Sequence, residues 1–102
     1  MSDIASLHSA LVSRVLKGEG RASPEVRRAA FDDEGLEEPV RSLVDKVAHH
    51  ARTVTDAEID TVKKAGFSED QVFEIVVCAA IGQATRQYQT ALAALAAATR
   101  GD

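Results

Sequence analysis

The stretch VTDAEIDTVKKAGFSEDQVFEIVVCAAIGQ, from Val54 to Gln83, decides the fold, because it holds two helix-start signals within fourteen residues. In Val54-Thr55-Asp56-Ala57-Glu58-Ile59 the side chains of Thr55 and Glu58 form a capping box. Each satisfies a backbone N–H that the first helical turn leaves unpaired, and Val54 can fold over Ile59 as a hydrophobic staple. The device recurs in Phe67-Ser68-Glu69-Asp70-Gln71-Val72, with Ser68 and Gln71 as the box and Phe67 stapled to Val72. Ala65-Gly66 ends the first of these helices, so the spacing predicts a tight helix–turn–helix corner at Gly66. The helix that follows is predicted from about Glu69 to Ala98, well above the mean length for a globular protein.

Around Val72 to Ile81 that last helix is apolar on nearly every side, through Val72, Phe73, Ile75, Val76, Val77, Ala79, Ala80 and Ile81. A helix of this kind needs cover on more than one side. A chain of 102 residues can hardly surround it, so one face is expected to be a subunit interface. The Ala-rich end, Ala91 to Ala98, is a strong helix former in which Leu92 and Leu95 can dock on a neighbour. The same composition would also give an exposed, fraying end.

Upstream, Ile4, Leu7, Leu11, Val12, Val15 and Leu16 gather on one side of a helix from Asp3 to Lys17, which Gly18 and Gly20 end. Ser23-Pro24-Glu25 starts a short second helix that stops before Gly35. The carboxylates Asp32, Asp33, Glu34, Glu37 and Glu38 lack the alternating ligands of a calcium loop and read as a solvated connector. A third helix, about Pro39 to Arg52, carries the stripe Val40, Leu43, Val44, Val47 and Ala51. The expected fold is all-α: one domain over residues 1–102, with N-terminal helices and the acidic connector over 1–38 and a helical core over 39–98.

Composition narrows the function. A net charge of −4 with no basic stripe argues against nucleic acid as a partner, since that affinity comes from clustered Lys and Arg. The helix–turn–helix corner is acidic where a DNA reader would be basic. Charged or amide side chains at Gln71, Glu74 and Gln83 interrupt the richest apolar run, so no membrane span is expected. One cysteine excludes an internal disulfide, and MSDIASLH lacks the features of a secretion signal; the expectation is a soluble cytoplasmic protein.

The pattern of helix, Thr-x-x-Glu, helix ending Ala-Gly-Phe-Ser-Glu-Asp-Gln, then a long Val/Ile/Ala helix with a mid-helix Gly resembles the alkylhydroperoxidase D and carboxymuconolactone decarboxylase superfamily. The likeness runs from about Leu43 to Leu95. It implies an alkylhydroperoxidase D-like helical domain of about five helices, with a long buried C-terminal helix, assembled as a trimer or hexamer. Peroxidase members carry a Cys-x-x-Cys pair and a histidine before that turn. The equivalent positions here fall near Ala51, Val54 and Glu58, none of which is the right residue. Without a resolving thiol the disulfide cycle cannot close, so the likeness implies the fold without the peroxidase activity.

Three functional expectations follow. The first is a catalytically silent homo-oligomer serving as a binding or assembly protein. The second is a cofactor-independent enzyme of the decarboxylase type, acting on a small organic acid. Its carboxylate would be held by Arg86 and oriented by Tyr88 or Gln89, with His50 as a base at a subunit boundary. The third is a one-thiol redox sensor at Cys78, whose helical face continues through Gly82, Thr85 and Gln89; the alternative is a Cys78 that is simply packed. His49 and His50 diverge on the third helix and cannot share a metal, so neither metal nor cofactor is expected. His8, set within the first apolar stripe, reads as a half-buried histidine or an intersubunit hydrogen-bonding group.

Overall fold

The computed structural model describes the backbone of residues 2–100 and the side chains from residue 6 to residue 100. It is all-helical: α1 (Ser2–Lys17), α2 (Pro24–Asp32), α3 (Val40–His49), a 3-10 turn (Ala51–Thr53), α4 (Asp56–Lys64) and α5 (Glu69–Arg100), with no strand among the described residues. The side chain of Ile4, the first member of the predicted α1 stripe, lies outside the described side chains.

Both capping boxes form. Thr55 Oγ1 accepts from the Glu58 N–H at 3.3 Å while the Glu58 carboxylate accepts from the Thr55 N–H at 3.0 Å. The Gln71 N–H donates to Ser68 Oγ at 3.1 Å, and Gln71 Oε1 accepts from the Ser68 N–H at 2.8 Å. Between the two boxes the chain reverses at Gly66, whose φ of 113° a side chain would resist. Ser23 caps α2 through the Val26 N–H, and the acidic connector supplies further ends: Asp33 closes α2 in the left-handed region, and Glu38 accepts from the Ser42 N–H and hydroxyl at the start of α3.

α5 is the spine. Its 32 residues span about 48 Å, against a longest molecular dimension of 54 Å. Through Val72, Ile75, Ala79 and their neighbours it packs on α2 and α3, in one cluster that includes Ala30, Phe31, Leu43, Val44 and Val62. At Gly82 the end of α2 crosses so closely that a Cβ would lie 2.6 Å from the Phe31 carbonyl carbon. This is the close helix approach that a mid-helix glycine permits. α1 runs antiparallel beside α5, with His8 against Thr85 at one end and Val15 against Cys78 at the other.

Two sequence expectations change. α3 stops at His49 because His50 leaves helical geometry (φ −145°, ψ 48°), and its carbonyl accepts from both the N–H and the hydroxyl of Thr53. Ala51 is therefore exposed in the 3-10 turn instead of completing the α3 stripe. The α1 stripe is also divided: Leu16 is buried and Val12 and Val15 are partly so, but Leu7 is 70% exposed and Leu11 46%.

Candidate functional site

The link from α1 to α2 is clamped onto the first turns of α5. Glu74 accepts from the Arg21 N–H at 2.8–2.9 Å and from the Ala22 N–H at 3.4 Å, while Gln71 Nε2 donates to the Arg21 carbonyl at 3.1 Å. At Gly20 a side chain would displace the Glu74 carboxylate from this position.

Arg27 projects from α2 behind this link and is only 5% exposed. Its Nη1 donates to the Gly18 carbonyl at 2.7 Å and to the Val15 carbonyl at 3.3 Å. It thus satisfies carbonyls that the end of α1 leaves unpaired, with a positive charge at the negative end of the helix dipole. Its Nε–H is buried without an acceptor among the described residues. Cys78, 1% exposed, points its Sγ at the same Val15 carbonyl, 3.4 Å away. Burial pushes the Cys78 thiol up, with Arg27 opposing and Glu74 adding to the shift. In front of these groups lies a cleft of about 570 Å³ whose walls include Leu11, Val15, Phe73 and Val77, with Arg14 at its rim.

The residues singled out in the sequence are dispersed. Arg86 is half-buried, donating from Nη1 to the Phe31 carbonyl and from Nη2 to Gln83 Oε1 at 3.0 Å, so it secures the end of α2. Tyr88 lies against His8 with ring centroids 5.7 Å apart, and His8 in turn meets Thr85 Oγ1 at 3.2 Å. Arg86 and Tyr88 leave the helix about 200° apart and cannot line one pocket wall. Gln89 and His50 are exposed. Arg86 thus already spends two of its five donors on acceptors within the chain.

Two features were missed. His49 is not alone in solvent: its Nε2 meets Asp33 Oδ2 at 3.1 Å, and Asp45 brings a third ligand atom within 4.8 Å of these two. The trio lies at the surface, with His49 and Asp33 hydrogen-bonded to each other. Arg27 is not among the residues singled out in the sequence; the available signal is its position three and four residues before Ala30 and Phe31, on the apolar side of α2.

A second surface adjoins the cleft. On α5, opposite the buried residues Val72, Ile75 and Ala79, run Phe73, Val77, Ala80, Ala84, Tyr88, Ala91 and Leu95, with Phe73 68% and Leu95 64% exposed. Leu7 and Leu11 of α1 lie alongside. From residue 87 onward every described position of α5 is exposed, and residues 87–99 carry no charge.

Comparison with protein families, with curated proteins and with solved structures returns no match for this chain.

Proposed function

We propose that the protein is a non-catalytic assembly module, a homo-oligomer held together by the exposed face of α1 and α5. The observation that carries this reading is the exposed apolar line Ala84, Tyr88, Ala91, Leu95 and Ala98, which alternates steps of four and three along α5. A 3.5-residue repeat keeps one seam facing a second helix over its whole length. Among the described residues, every position of α5 along the far half of that seam is exposed.

The surface area supports a second copy as the occupant. A compact monomer of 10.9 kDa exposes about 5,600 Å², whereas this chain exposes 7057 Å². Its radius of gyration is 15.5 Å, where about 13 Å is usual for this length. The excess, about 1,500 Å², exceeds the roughly 800 Å² per partner that a stable interface removes from water. The absence of charge over residues 87–99 suits a like, uncharged surface.

The resemblance to the alkylhydroperoxidase D and carboxymuconolactone decarboxylase superfamily belongs to the same proposal. It implies trimers or hexamers, and the positions equivalent to the peroxidase thiols are Ala51 and Val54. Cys78 offers no substitute, because its thiol is buried and pushed away from the thiolate form.

Sedimentation at micromolar concentration tests the reading. The expected result is a mass at least twice that of the chain, falling to the monomer in a Phe73→Glu, Leu95→Glu double variant. A strictly monomeric wild type would remove the proposal.

A further inference from the structure

We propose that α5 pairs antiparallel with α5 of a second copy about Ala84, so that the cleft between α1 and α5 is the receptor for Leu92 and Leu95 of that copy. The inference rests on the assembly reading and deepens it, because that reading leaves the direction and register of the partner open.

The exposed seam of α5 is symmetric about its middle. Phe73 and Leu95 lie eleven residues from Ala84 on either side, Val77 and Ala91 seven, and Ala80 and Tyr88 four. Steps of three and four keep all seven residues on one side of the helix, and the two ends, Phe73 and Leu95, are 68% and 64% exposed. A two-fold axis at Ala84, perpendicular to α5, therefore lays the seam of one copy on that of the other. Phe73 meets the partner's Leu95, Val77 the partner's Ala91, and Ala80 the partner's Tyr88. In the two inner pairs a larger side chain faces an alanine, and the two copies of Ala84 at the axis leave room for close approach.

A parallel pair would set every level against itself, Tyr88 on Tyr88 and Ala80 on Ala80, with bulk and gaps side by side. It would also place Glu69 and Asp70 beside their own copies, whereas the antiparallel pair brings Arg100 to the level of the partner's Glu69 and Asp70.

The cleft fits the same arrangement. Leu11, Phe73 and Val77 give it apolar walls, while Arg14 and Glu19 are exposed at its edge, the pattern of an apolar floor within a polar rim. Cys78 and Thr85 face α1, and Leu92 continues their line at steps of seven, so it projects from the same side of α5. The two-fold axis keeps that side common to both copies and carries Leu92 and Leu95 to the level of the partner's residues 73–77, beside the cleft. Residues 87–99 bring no charge into it. Such a contact closes at two copies, and a hexamer can hold three of them.

Spin labels on single cysteines test the direction. Asp70 and Ala98 are exposed and lie fourteen residues from Ala84 on opposite sides, while Cys78, 1% exposed, is shielded from labelling. Labelled Asp70→Cys alone, or Ala98→Cys alone, is expected to place its two labels about 42 Å apart. An equimolar mixture of the two variants adds a distance within about 20 Å, since paired helices lie about 8–10 Å apart. A short distance in either variant alone, or none in the mixture, would overturn the antiparallel pairing and leave the assembly reading standing. No distance between labels in any sample, together with a monomeric mass in sedimentation, would remove both. The register has its own readout. Phe73→Ala and Leu95→Ala are each expected to raise the dissociation constant about tenfold, and the double variant by clearly less than the product, because each change already removes the other's contact. Effects that simply multiply would contradict the register.

Discussion

The two halves of α5 have similar numbers of apolar residues, chiefly Val and Ile in the first and mostly Ala in the second, and opposite surroundings. From Val72 to Thr85 the helix is fixed by α2 and α3, and Ile75 and Ala79 are fully buried. From residue 87 to residue 100, where nine of fourteen residues are apolar, every described position is exposed. Apolar content alone therefore does not determine burial; what decides is whether another element reaches the same level. α2 reaches Gly82 and ends there, held by Arg86 on the Phe31 carbonyl, and His8 of α1 meets Tyr88. From residue 87 onward the helix is held by its continuity with the packed half and by the helix propensity of its alanines.

Substitution can break this contrast, and the largest effect belongs to the covered half. Ile75→Ala removes a side chain of zero exposure from the centre of the cluster and should destabilise the fold by about 2–5 kcal/mol in chemical denaturation. Leu95→Ala, under conditions where the chain is monomeric, should change stability by less than about 0.5 kcal/mol, and a comparable loss at both sites would show that residues 87–100 are packed within the chain after all.

An intermediate effect comes from Gly82. Adding one methyl forces the end of α2 away from α5, so Gly82→Ala should cost about 1–3 kcal/mol although alanine is the better helix former. A stabilised variant would mean that the two helices do not touch there.

The smallest effect is electrostatic. The Lys46 ammonium, 3.0 Å from Glu58, together with Thr55 holds the Glu58 carboxyl below its usual range, and the Ser42 hydroxyl and N–H do the same for Glu38. Because both folded-state values are depressed, their contribution is present above the unfolded-chain pKa and is lost as pH falls through the folded one. The unfolding midpoint should therefore drop gently below about pH 4, and less steeply in Glu58→Gln. An acid response identical in the variant would dissociate Glu58 from it.

The sequence reveals the α4–α5 corner in detail because capping is local: Thr55 with Glu58, and Ser68 with Gln71, find their partners within one turn. It reveals the length of α5 for the same reason. The end of α3 is hidden, since neither glycine nor proline marks His50, and the helix yields to a Thr53 hydroxyl that merely competes for a carbonyl. The site is hidden more deeply. Arg86 reads as a free cation because the carbonyl that occupies it lies 55 residues away in the chain. The acceptors of Arg27 are hidden because they depend on where α1 ends. Long-range acceptors of this kind are set by packing, and no spacing within one helix reports them.

Hydrogen exchange at the amides of residues 88–98 tests the central claim most directly. If a second copy covers the far half of α5, these amides will be protected at micromolar concentration to a degree approaching residues 75–85, and will lose that protection on dilution or in Leu95→Glu. Rapid exchange at every concentration, with residues 75–85 protected, would contradict it.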